Sequence, residues 1–175
     1  MTSLVVDASV AAKWMLSAQG ELLRQEVFQL LDAYGAGEVS LLVPDIFWAE
    51  CGNIVGKAVR QQRLSPVDAD LAMLVHDAPA HPDHFFANRL PEALPIAFNV
   101  GRSVYDCLYV AVAVQSETQF ITADERLANA LAARLRSNGW EHSERQNYSR
   151  EDQFSLDIRM RRTFPLRNCS CHNRW

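Results

Sequence analysis

The sequence predicts an α/β domain in which a short parallel sheet carries helices on both faces. Three short apolar runs have the length of strands: Leu4-Val5-Val6, Leu41-Leu42-Val43 and Gln119-Phe120-Ile121-Thr122. Stretches of helical periodicity separate them. Strands that alternate with helices are joined by crossovers, and crossovers make neighbouring strands parallel and lay helices over the sheet.

Taken in order, Leu4-Val5-Val6 ends at Asp7, and a helical pattern then runs from Val10 to Leu16 through Ala11, Ala12, Trp14 and Met15. Glu21 to Tyr34 repeats apolar residues at Leu22, Leu23, Val27, Leu30 and Leu31, a helix closed by Gly35 and Gly37. Pro44 stops the second strand, and Asp45 is placed to cap a helix from Ile46 to about Gln62. Ser65-Pro66 opens a further helix through His76, so the two form a hairpin. Ala78 to Leu94, with its prolines, two histidines and Phe85-Phe86, reads as a short strand or a loop before the next helix. After Gly101-Arg102 comes a strong helix, Val104 to Gln115, whose Ser103 and Asp106 fit a capping box. The third strand leads into a last helix, Asp124 to Leu135.

Beyond Gly139 the periodicity fails and Arg, Asn, Ser and Glu predominate. The division predicted is a domain over 1–137 and an atypical basic tail over 138–175. That tail reads as a disordered or basic arm, a partner-docked segment, or a non-native C-terminus produced by a change of reading frame.

At 175 residues the chain suffices for one domain with its own core, and a hydrophobic share of 49% with 22% charged residues is that of a globular protein. The N-terminus has no basic start and meets Asp7 after three apolar residues, so it does not read as a signal peptide. The longest apolar run, Cys107 to Val114, is too short to span a bilayer, so a cytoplasmic protein without membrane contact is expected. Cys51 and Cys107 sit singly in apolar helical patterns and read as buried thiols, and Cys169-Ser-Cys171-His172 as tail residues.

The net charge of −4 excludes a broadly basic nucleic-acid surface. Residues 1–137 carry −6 of charge and the tail +2. Two bound divalent cations would turn an acidic crevice from repelling phosphate to attracting it.

Ligands of an open parallel sheet bind outside the carboxyl ends of its strands. Asp7 follows the first strand and Asp124 the third, and Asp106 lies in the first turn of its helix, so all three are able to face one crevice. A cluster of like charges is costly unless a cation binds. Carboxylates around an open crevice suit Mg²⁺ or Mn²⁺, and the chemistry such ions serve is hydrolysis of a phosphodiester. Taken singly, each acid has a plainer reading. Asp7 or Ser9 caps a helix, Asp106 completes the Ser103 box, and Asp124 caps the last helix while Thr122 pairs with Glu125. Glu50 shares a polar stripe with Asn53 and Lys57, which an exposed helix face explains equally well, and spacing does not bring it near Asp7.

Three segments in series are similar to the PIN domain of VapC-type toxins: residues 4–10 around Asp7, residues 43–50 ending in Glu50, and residues 103–111 around Asp106. Phe120-Ile121-Thr122-Ala123-Asp124 resembles the last acidic motif of the same family. The resemblance covers about residues 3 to 135. It implies a PIN-like three-layer α/β/α fold and a Mg²⁺- or Mn²⁺-dependent endoribonuclease, the toxin of a type II toxin–antitoxin pair. The catalytic and metal-binding acids it implies are Asp7, Glu50, Asp106 and Asp124, with Thr122 and Ser9 as polar neighbours that orient a ligand or water. It further implies an RNA substrate, a VapB-like antitoxin filling the active-site groove, and a homodimer. Arg102, Arg126, Lys13 and Lys57 lie near the motifs and are candidates for RNA phosphates or simply solvated residues.

Relatives of this type end in one more short strand, whereas here Ser137-Asn138-Gly139 leads into the tail, which would leave a sheet edge unprotected. Two rival readings are a PIN-like nuclease of structured DNA or RNA processing, and a catalytically silent PIN-like module that binds a partner or RNA. His81-Pro82-Asp83-His84 is a separate metal-binding alternative.

Overall fold

The computed structural model describes residues 2–16, 22–73 and 89–137. Within them the chain forms β1 (Thr2–Val6), α1 (Ala8–Leu16), α2 (Arg24–Gly35), β2 (Val39–Leu42), α3 (Ile46–Arg60), α4 (Pro66–Met73), α5 (Leu90–Val100), α6 (Val104–Gln115), β3 (Gln119–Ile121) and α7 (Glu125–Ser137). The strands make one parallel sheet in the order β2-β1-β3. Leu4 lies opposite both Leu41 and Gln119, and Val6 opposite Ile121.

Successive side chains of a strand point to opposite faces, yet Leu4, Val5 and Val6 are all buried, so helices cover both faces of the sheet as predicted. The main core gathers Val5, Val6, Val43, Phe47, Tyr109, Phe120 and Leu127. Helix α6 is buried without interruption from Cys107 to Ala113, the pattern of a helix enclosed on all sides. It packs on α5, where Ala93 and Ala97 meet Cys107, Leu108 and Ala111 and the small side chains allow close approach.

Several boundaries differ from the sequence reading for local reasons. Helix α1 starts at Ala8, before Val10, because the Val10 amide already bonds to the Asp7 carbonyl at 2.9 Å. Helix α2 starts at Arg24, after Leu23, which stands at φ 64° in the left-handed region; Glu21 lies outside the described residues. Gly37, at φ 70°, does close that helix, with its amide and that of Glu38 returning to the carbonyls of Tyr34 and Ala33. The second strand is Val39–Leu42, two residues earlier than the apolar run alone suggests.

Asp45 does not cap α3 through its side chain. Its φ of −59° and ψ of −26° are already helical, whereas a capping residue is extended. Ser65 does cap α4, accepting from the Asp68 amide at 3.1 Å. Helix α5 occupies part of the segment read as strand or loop. Pro91 sits where a helix needs no amide, and Pro95 forfeits one bond in the second turn.

Residues 78–88 of that segment, with His81 and His84, the continuation of α4 to His76, and the tail 138–175 with Cys169, Cys171 and His172 lie outside the described residues. Among those described, no helix is long and apolar enough to cross a membrane.

Candidate active site

Asp7 leaves β1 with its amide still in the sheet, donating to the Ile121 carbonyl at 3.0 Å, so the strand itself fixes the residue. Its carboxylate is buried. One oxygen, Oδ2, accepts from Ser9 Oγ at 2.6 Å and from Thr122 Oγ1 at 2.5 Å. Both hydroxyls are in turn held by backbone: the Ala123 amide donates to Ser9 Oγ at 2.9 Å, and the Asp124 amide to Thr122 Oγ1 at 3.0 Å. The turn after β1 and the turn after β3 are thereby stitched together. Burial raises the Asp7 carboxyl above its ordinary range; the hydroxyl bonds pull it down, and the charge of Asp106 adds to the rise.

Asp124 plays two parts. Its Oδ1 caps α7, accepting from the amides of Arg126 at 2.7 Å and Leu127 at 3.1 Å. Its Oδ2 accepts from Arg102 Nη2 at 2.9 Å. The same Arg102 nitrogen lies 3.2 Å from Asp106 Oδ2. Ser103 caps α6 by accepting from the Asp106 amide at 3.1 Å, while the Asp106 carboxylate turns to Arg102. The capping readings therefore hold in part, since Ser103 caps α6 through the Asp106 amide and Asp124 caps α7 through Oδ1, while Oδ2 of each acid is engaged by Arg102.

Glu50 on α3 does not lie on a wholly exposed face. It is half-buried, and Oε2 accepts the hydrogen bond of the Tyr109 phenol. Burial raises its carboxyl, as do the charges of Asp7 and Asp106, and the Tyr109 bond opposes them. Sequence spacing does not join Glu50 to Asp7, whereas the fold brings their charges within each other's field.

One participant carries no role in the sequence reading, and another, Arg102, carries a different one from the phosphate contact expected of it. Tyr109, fully buried in α6, holds Glu50; the signal that points to it is a phenol within an otherwise apolar buried run, where its hydroxyl requires a partner. Arg102 is not a free contact for phosphate but an ion-pair partner of Asp106 and Asp124. Lys57 and Arg126 are exposed.

The donor set consists of carboxylates with hydroxyl neighbours, the chemistry that a hard divalent cation prefers. As they stand, no three His, Cys, Asp or Glu among the described residues are drawn together tightly enough to hold a metal ion. Arg102 sits between two of the acids.

The PIN domain family matches the chain over residues 4–131, well over half of its length, and the short parallel sheet among helices is consistent with the PIN-like α/β/α fold. No curated protein matches the chain.

Proposed function

The chain belongs to the PIN domain family, whose members are generally metal-dependent nucleases, and from that premise we propose that it is an endoribonuclease. In this reading it hydrolyses RNA phosphodiesters with Mg²⁺ or Mn²⁺ as the toxin of a VapC-type toxin–antitoxin pair. A VapB-like antitoxin would cover the crevice, a second copy would complete a homodimer, and the cytoplasm would be the place of action. The domain would end near residue 137, with 138–175 as a basic appendage. The observation that supports the reading is that acids on three separate elements feel one another's charge, Asp7 and Asp106 raising Glu50 and Asp106 raising Asp7, with Asp124 joined to Asp106 through Arg102.

Asp7, Glu50, Asp106 and Asp124 are the residues that would hold the metal. When bound, the ion would supply Lewis acidity at the phosphate and lower the pKa of a water for attack. The chain's own contribution is positioning. Ser9 and Thr122 hold Asp7, and Tyr109 holds Glu50, so two carboxylates are oriented before any cation arrives.

The test is cleavage of a labelled RNA pool by the purified chain with Mg²⁺ or Mn²⁺ and with chelator, beside Asp7→Asn and Asp106→Asn. Metal-dependent cutting that falls at least about 100-fold in both variants supports the reading. A second reading, a silent PIN module that binds a partner or RNA, draws support from Arg102, which already neutralises part of the acidic crevice. Folded protein that cuts no RNA under either metal would favour it.

A further inference from the structure

Arg102 lies in the short link between α5 and α6, directly after Gly101, whose φ of 65° turns the chain out of α5. From there it reaches two carboxylates, one in α6 and one capping α7, with one nitrogen, Nη2, at 3.2 Å from Asp106 Oδ2 and 2.9 Å from Asp124 Oδ2. Guanidinium–carboxylate pairs are frequently bidentate, with two parallel N–H bonds to one carboxylate. Here a single nitrogen is shared, and Nε is buried with no hydrogen-bond partner, which costs stability. Geometry alone is a poor reason for the side chain to sit there; charge is a good one. Asp106 repels Asp7 and Glu50, and a positive group beside it relieves that repulsion.

We infer that Arg102 is a resident counter-cation of the acidic crevice, and that a divalent metal binds in competition with it for the oxygens of Asp106 and Asp124. The inference rests on the metal-binding reading above and adds to it a built-in brake: the ion gains the site only as the guanidinium gives it up. Metal affinity is thereby weakened by the protein's own side chain, and the metal-free fold is stabilised by it.

The experiment measures Mn²⁺ binding by calorimetry, and melting temperature with chelator and with Mn²⁺, for wild type, Arg102→Gln and Arg102→Lys. Arg102→Gln should bind Mn²⁺ at least about tenfold more tightly than wild type, the scale on which a neighbouring charge acts at such distances. It should melt lower than wild type in chelator and gain more from Mn²⁺. Arg102→Lys, which keeps the charge without the guanidinium's reach, should fall between the two and keeps the test open if the glutamine variant folds poorly. Mn²⁺ affinity that is equal or weaker in both variants overturns the inference while leaving the metal-binding reading intact. Absence of Mn²⁺ binding by all three proteins, each folded, overturns the metal-binding reading and this inference with it.

Discussion

The Tyr109 phenol donates its hydrogen bond to Oε2 of Glu50, tying the fully buried middle of α6 to a half-buried acid on α3. Burial holds the phenol well above its ordinary pKa, so it remains a donor at every pH of interest. Tyr109→Phe should cost about 1–2 kcal/mol in urea denaturation, the scale of a hydrogen bond to a partly buried charged group. Because the bond pulls the Glu50 carboxyl down, its loss should let that carboxyl rise further, moving the acid limb of any RNA-cleavage profile to higher pH. An unchanged profile in a folded variant would remove Tyr109 from the site.

Asp7 and Glu50 are both raised, mainly by burial, from 3.8 and 4.5 respectively. Between those values and the raised folded ones, the folded chain holds more protons than the unfolded chain. Their contribution to stability is therefore present in full below the unfolded values and lost as pH rises through the folded ones. In chelator, the unfolding free energy attributable to this pair should fall from about pH 4 towards neutrality. Asp7→Asn should flatten that fall and be more stable than wild type near pH 7 by about 1 kcal/mol, since it removes a buried charge. Denaturant titrations across the range check this, and a wild type to Asn difference that does not depend on pH would count against it.

The strands, the parallel sheet and the last two helices are legible in the sequence because their signals are local: short apolar runs, periodicity, and Ser103 ahead of Asp106. Helix α5 is not, because Pro91 and Pro95 read as breakers unless one knows that the first sits at the helix start. Asp7 and Asp124 are legible as neighbours since both follow strands of one parallel sheet. The place of Glu50 is not, as it depends on how α3 packs, a long-range fact with no periodic signature. Family resemblance supplies that residue, and the Tyr109 bond and the charges of Asp7 and Asp106 supply its physical surroundings. Of the ion pairs of Arg102, that with Asp106 is local, four residues away, whereas that with Asp124 spans 22 residues and is long-range too.

Cys51 and Cys107 are buried, and burial pushes their thiols up to about 12 and about 11, with nearby carboxylate charge adding to both. Neither should form thiolate at mildly alkaline pH in the folded chain. With Cys169 and Cys171 replaced by Ser, a thiol reagent at about pH 8 should modify the protein only at the rate of unfolding, and two thiols should appear at once in denaturant. Rapid labelling of either cysteine in the native protein would show that its surroundings open to solvent.

One hydroxyl links the two strand-end acids: Thr122 Oγ1 donates to Asp7 Oδ2 at 2.5 Å and accepts from the Asp124 amide at 3.0 Å. Thr122→Val keeps the shape of the side chain and removes both bonds, leaving a buried carboxylate short of a donor and an amide short of an acceptor. The expected loss is about 1–3 kcal/mol of stability. Cleavage should fall by about 10- to 100-fold, the usual consequence of removing a group that orients a metal-binding carboxylate. Thr122→Ser restores the hydroxyl without the methyl group and should recover most of the activity. If the serine variant were impaired while the valine variant kept full activity, the methyl packing of Thr122 rather than its hydroxyl would be what the site requires.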